Sequence, residues 1–248
     1  MATAQAEVFN HPKVHKFNVT EYYRLGDLGF FFEKRVELIE GDVLDRYEVP
    51  DPRLHLWTSS EFYQMTEANL FDGRRVELID GRVMEMGEPH RLYGRAVKKA
   101  VRILDRVFGE DYCVREQAPL NLDGLDHYSQ PKPAIAVVKD RQENDDDELP
   151  IHAKLVLEVS SNTLRFDREK KASLFAEARI PEYWILNLLQ RQLEVFRRPV
   201  ADAAPAFWFS YAKKLVFKDG ESVALRDKPD HLIQVTDLMP EPEGKALR

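Results

Sequence analysis

The run Leu155-Val156-Leu157-Glu158-Val159 constrains the fold more than any other stretch of this 248-residue chain. A strand sends alternate side chains to opposite faces, so Leu155, Leu157 and Val159 share one face and Val156, Glu158 and Ser160 the other. Both faces are largely apolar, which calls for cover on both sides and predicts an α/β sheet. Glu158 breaks the pattern. A carboxylate in a short apolar strand is costly unless it is paired, binds a cation or reaches water at the strand end. The cluster Asp167-Arg168-Glu169-Lys170-Lys171 follows, on a segment with helical character. There Lys171 lines up with Leu164 and Phe175, so it points inward. Two readings stand side by side: a charge-bearing site with Glu158, or a lysine whose stem packs on apolar neighbours.

Acidic residues outnumber basic ones, 43 to 36, and the formal net charge is −7. That argues against a protein that coats DNA indiscriminately but leaves room for a local basic patch. The single cysteine, Cys113, excludes an internal disulfide framework and a cysteine-based zinc site. No run has signal-peptide or membrane-spanning character, so a soluble cytoplasmic protein without membrane partners is expected. The seven histidines form no zinc-protease pair; His11 and His15 fall in a stretch expected to fray. Phosphate-cradling glycine loops and a nucleophile-elbow serine are absent from the sequence.

The N-terminal third repeats itself at a spacing of 40 residues. Thr20-Glu21-Tyr22-Tyr23 answers Ser60-Glu61-Phe62-Tyr63, and Arg35 through Val43 answers Arg75 through Val83. Each copy reads as a capped helix and a hairpin turning at Glu40-Gly41 or Asp80-Gly81. Two copies are too few for a solenoid, so this is a duplicated entry module, with Glu48 to Pro52 as the linker. A helix follows from Arg91 to Phe108. Leu92, Ala96, Val97, Ala100, Leu104 and Phe108 form its core stripe, with a basic face including Arg95, Lys99 and Arg102 opposite. That face is either a solvated surface or a track for a phosphate backbone. Strands are expected at Cys113–Leu122, Ala134–Val138, Lys154–Ser160, Glu182–Leu186 and Leu193–Phe196, with a helix at Asp167–Ala178. Further on, a hairpin at Asp219-Gly220 and a strand at Leu232–Val235 complete the pattern. The acidic stretch Glu143 to Glu148 reads as a solvated loop.

This ordered series resembles the Uma-type restriction endonuclease family. The resemblance rests on Val76-Glu77-Leu78-Ile79-Asp80-Gly81, His90, Gln117-Ala118-Pro119, Ser129 to Ala134, Leu157-Glu158-Val159-Ser160, Asp167 to Lys171 and Ile180 to Ile185. It covers about Thr58 to Met239 and implies the PD-(D/E)XK nuclease superfamily: a mixed central sheet flanked by helices, with added β-hairpins. It further implies a domain over 53–240, an N-terminal extension over 1–52 that carries the first module, and a tail over 241–248.

Such enzymes typically cleave phosphodiesters with Mg²⁺ held by carboxylates, helped by a lysine. The resemblance casts Glu158 as metal ligand and catalytic residue, Lys171 as the catalytic lysine moved onto the helix, and Glu77 as a second acidic residue near the metal. His90 and Gln117 occupy further recurrent positions. The metal-binding aspartate does not carry over: the family's Pro-x-Pro-Asp is Pro131-Lys132-Pro133-Ala134 here, and Ala134 supplies no side-chain oxygen. Arg179 and Asn187 stand where the family usually has Gly and Asp. The expectation is a magnesium-dependent DNA endonuclease impaired at Ala134. The alternative is a non-catalytic DNA-binding or protein-interaction module on a nuclease fold, with Arg95, Lys99 and Arg102 as backbone contacts. A third expectation is an assembly role, with the module near Thr20 to Leu44 packing against another chain, a homodimer among the options.

Overall fold

The computed structural model describes residues 12–46, 53–122, 128–139 and 153–241. The expected linker at Glu48–Pro52 and the acidic stretch at Glu143–Glu148 lie outside the described residues. The chain divides into two compact units: residues 12–87 with 122–131 form one, and residues 88–121 with 132–248 belong to the other, together with 1–11. This division differs from the expected boundary at 52/53, because both repeat copies fall in the same unit.

The smaller unit contains strand β1 (Lys13–Val14), helix α1 (Val19–Asp27), β2 (Val36–Ile39) and β3 (Asp42–Asp45). The second copy supplies β4 (Arg53–Leu54), α2 (Ser59–Glu67), β5 (Val76–Ile79) and β6 (Arg82–Glu85). Asn18 and Thr58 cap the two helices through reciprocal bonds with Glu21 and Glu61, which satisfies backbone donors that the first turn leaves open. The hairpins turn at Glu40-Gly41 and Asp80-Gly81 with all four residues at positive φ, the twist a two-residue hairpin needs.

The copies exchange their leading strands. β1 of the first copy pairs with β6 of the second, and β4 of the second pairs with β3 of the first. Phe17 and Trp57 from the two leading segments pack together at 5.4 Å. His15 is therefore no frayed residue. It is buried, bonded to Glu21 of its own copy and Glu85 of the other, and its ring meets Phe17 and Phe71 edge-on. His55 repeats the arrangement with Asp45 and, at 4.0 Å, Glu61.

The larger unit begins with α3 (Tyr93–Phe108), β7 (Tyr112–Glu116), β8 (Ile135–Lys139) and β9 (Ala153–Ser160). Helix α4 (Leu164–Phe166) runs through a π-helical turn, Asp167–Lys171, into α5 (Ala172–Glu177). After these come β10 (Glu182–Asn187), β11 (Gln192–Ala201), β12 (Phe209–Lys218), β13 (Ser222–Ala224), β14 (Leu232–Gln234) and α6 (Val235–Leu238). Six strands form one mixed sheet in the order β12-β11-β10-β9-β8-β7. Only β9 and β10 are parallel, and the α4–α5 segment is their crossover. Leu155, Leu157 and Val159 join the core beneath α3, whereas Glu158 faces the α4–α5 segment. The central strand is covered on both sides, as its composition demands.

Two expected elements differ. The strand from Cys113 ends at Glu116, since Gln117 takes a left-handed conformation and Pro119 follows. The Asp219-Gly220 turn does not close a hairpin: β12 pairs with β11, while β13 pairs with β14, so the turn passes the chain from one sheet to another.

Candidate active site

Glu158 lies on β9, the strand at the parallel junction, and is 6% exposed. Its Oε1 accepts a hydrogen bond from Lys171 Nζ at 2.7 Å, and its Oε2 accepts one from the Ala134 backbone N–H at 3.2 Å. Lys171 is 1% exposed. The sequence reading of an inward lysine beside the strand glutamate thus holds as a contact, and the snorkelling alternative fails, since the ammonium does not reach water. The π turn contributes. Its widened loop, closed by the Ala172 N–H donating to the Asp167 carbonyl, brings both Asp167 and Lys171 to the buried side. Thr163 Oγ1 donates to Asp167 Oδ2 at 2.6 Å, and the Tyr183 hydroxyl donates to its carbonyl oxygen.

A second ion pair sits beside the first. Across the sheet, Glu158 is in register with Ile185 of β10 and Ile185 with Glu194 of β11, so both carboxylates face the same helix. Arg168, three residues before Lys171, clasps Glu194, and Lys214 Nζ adds a bond at 2.8 Å. Burial pushes the Glu194 carboxyl up, but the hydrogen bonds and charges of Arg168 and Lys214 prevail and hold it down at about 2. The sequence reading missed Glu194. The signal was present, because Leu193-Glu194-Val195-Phe196 is also a carboxylate inside an apolar strand.

The other expected residues lie on several elements. Ala134 is buried in the core cluster with Leu155 and Leu157, touches Glu158 through its backbone N–H, and its carbonyl accepts from the Gln117 N–H at 3.1 Å. Glu77 is buried on β5 of the smaller unit, opposite Met84. His90 Nδ1 accepts from the Leu92 N–H at 3.2 Å, just ahead of α3. Arg95 and Arg102 are exposed, as are Lys98 and Arg106 on the same side. Lys99 is different: its Nζ donates to the Met239 carbonyl at 2.7 Å, tying α3 to the C-terminal segment. Arg179 occupies a left-handed position, φ 58°, which accounts for the glycine usual there; its guanidinium lies over the Phe209 ring at 4.6 Å. Asn187 is committed locally, bonding Gln190 through both ends of its amide.

A magnesium ion needs several hard oxygen donors in near-octahedral array. The residues around Glu158 do not fit one. Both carboxylate oxygens are engaged, one by an ammonium, and Ala134, just before the neighbouring strand, has no side-chain oxygen to offer. Among the described residues no group of three or more His, Cys, Asp or Glu side chains could hold a metal ion.

Residues 59–228 match the Uma2 family, described as "Putative restriction endonuclease". Among solved structures, the fold is similar to that of a "putative nuclease belonging to DUF820" from Anabaena variabilis. The TM-score is 0.54 at 16% identity, covering 73% of this chain and 96% of that one. At that identity the likeness speaks for the fold, a restriction-endonuclease-like mixed sheet flanked by helices. No curated protein matches the chain. Among the described residues no helix is long and apolar enough to cross a membrane. The family match spans well over half of the sequence, and the chain belongs to the Uma2 restriction endonuclease family.

Proposed function

We propose that this chain is a DNA-directed member of the family in which the magnesium-dependent phosphodiesterase centre is impaired. The carrying observation is the local chemistry at Glu158: the ammonium of Lys171 and the backbone N–H of Ala134 occupy its two oxygens. In a working centre of this kind an acidic side chain at position 134 would share a cation with Glu158 and leave the lysine to face the scissile phosphate. With alanine there, the lysine neutralises the remaining carboxylate. The chain keeps the scaffold and two members of the catalytic set, Glu158 and Lys171, locked against each other.

Plasmid nicking with magnesium, with and without EDTA, tests this. Ala134→Asp should gain EDTA-sensitive cleavage over the parent chain. If Ala134→Asp gives no metal-dependent cleavage of supercoiled, linear or single-stranded DNA, the reading fails.

A second reading, binding to DNA without cleavage, draws on the exposed stripe Arg95, Lys98, Arg102 and Arg106 along α3. Such a stripe suits the phosphate backbone, and its affinity should fall steeply with salt and survive chelation. Lys99 is excluded from it by its bond to Met239. Reversing Arg95 and Arg102 to Glu should weaken binding, and unchanged affinity refutes that use of the helix.

A further inference from the structure

The two entry modules are built alike but finished differently. On the second copy, the outer edge of β5 is occupied by the chain's own segment Tyr128–Pro131. Gln130 N–H donates to the Leu78 carbonyl at 2.8 Å, Gly81 N–H donates to the Tyr128 carbonyl at 2.7 Å, and Asp80 N–H donates to Ser129 Oγ at 3.0 Å. Leu78 and Gln130 form an antiparallel bridge. Pro131 holds Gln130 in the extended conformation this requires. Beneath the segment, Val76 through Ile79 are all buried.

On the first copy, no described segment pairs with the same edge. β2 has the same register against β3 that β5 has against β6, so the Leu38 carbonyl faces outward as that of Leu78 does. The N–H groups of Glu40 and Gly41 have no partner among the described residues. Ile39 is 45% exposed where Ile79 is 3% exposed. A groove of about 340 Å³ runs along the edge, lined by Val19, Tyr22, Tyr23, Val36, Leu38 and Ile39. The Tyr22 hydroxyl already donates to the Val36 carbonyl, so the edge groups without a partner among the described residues are concentrated at the Leu38–Gly41 end.

We propose that this edge docks an extended segment of another polypeptide by β-strand addition, with the chemistry of Tyr-Ser-Gln-Pro. The occupied copy specifies what fits: a carbonyl for Gly41 N–H, a hydroxyl residue for Glu40 N–H, then a backbone N–H for the Leu38 carbonyl on a residue fixed by a following proline. Main-chain bonds supply affinity and the alternate side chains supply selectivity in this mode of recognition. Val19 stands where Ser59 donates to the Ser129 carbonyl, so the open slot has one polar contact fewer and more apolar surface. The proposal concerns a face remote in sequence from the Glu158 centre and does not depend on whether that centre cleaves DNA.

The test uses the full chain labelled for NMR and the capped peptide Tyr-Ser-Gln-Pro-Lys, copied from residues 128–132. Saturable amide shifts at Leu38, Glu40 and Gly41 are expected. The variant Ile39→Lys, at an exposed position that folding tolerates, should bind at least about tenfold more weakly. Absence of saturable shifts at millimolar peptide overturns the proposal, as do shifts confined to residues 76–81. If shifts appear only after residues 1–11 are removed, the chain fills its own slot and the external partner is refuted. If the protein alone self-associates through Leu38–Gly41, a second copy is the occupant and the proposal is again overturned.

Discussion

Replacing Lys171 by Met removes the ammonium that neutralises Glu158 while keeping most of the buried stem. The pair is nearly sealed from water, and the Nζ–Oε1 distance of 2.7 Å is that of a charge-assisted bond. Screening that makes exposed pairs nearly worthless does not apply here. The buried carboxylate left behind loses its ammonium partner, so the loss should be about 3–5 kcal/mol, the usual cost of removing one member of a buried pair. Against a typical total stability of about 5–15 kcal/mol, this is a large fraction. The double replacement Glu158→Leu with Lys171→Met removes both charges and should recover most of that loss, because a buried pair and an apolar pair of similar volume differ little in stability. Urea unfolding of the parent, both single variants and the double variant closes the cycle, with an unchanged m-value required for the comparison. A loss under about 1 kcal/mol in Lys171→Met, with no coupling in the cycle, refutes a buried ion pair at this site.

Glu194 gives a pH prediction of defined sign. Its carboxyl falls from 4.5 to about 2 on folding, so its contribution is complete above the unfolded value and is lost as pH falls through about 2. The shift corresponds to about 3 kcal/mol, and Glu194→Gln should flatten the acid limb of a stability–pH curve between pH 5 and 3. Unchanged curvature contradicts the assignment. The two hairpin and loop glycines Gly81 and Gly73 separate strain from crowding. Both have positive φ, but a methyl on Gly81 would lie 2.7 Å from Leu56 Cβ, whereas one on Gly73 meets nothing within 4 Å. Thermal unfolding should therefore show Gly81→Ala losing about 2–3 kcal/mol and Gly73→Ala about 1, and equal losses would contradict the close approach of the leading segment.

The repeat was legible because its pieces are local: cap residues, helix and a turn with two left-handed positions all lie within one 40-residue period. The exchange of β1 and β4 between copies was not, since strand pairing depends on contacts that two-residue segments do not announce. That is why His15 read as frayed when it is packed between the modules. The two-sided burial of β9 followed directly from its composition. The failure at Asp219-Gly220 has the opposite cause: a turn signal specifies a reversal but not which strand receives the chain. At the candidate site, inward Lys171 was readable from helical spacing, whereas Arg168 gripping Glu194 needed the sheet register that sets Glu158 and Glu194 on one face. The dual engagement of the Glu158 carboxylate needed coordinates, because one of its partners is a backbone N–H that any residue at 134 would carry.

In the proposed function, alanine at 134 leaves Glu158 bonded to Lys171 instead of sharing a metal. Titration calorimetry with magnesium chloride tests it most directly, on the parent chain and on Ala134→Asp. The expected result is no saturable binding in the parent up to millimolar magnesium and a single site in Ala134→Asp that disappears when Glu158→Gln is added. Saturable binding by the parent chain that is abolished by Glu158→Gln would contradict the claim, because the site would then be complete without an acid at position 134.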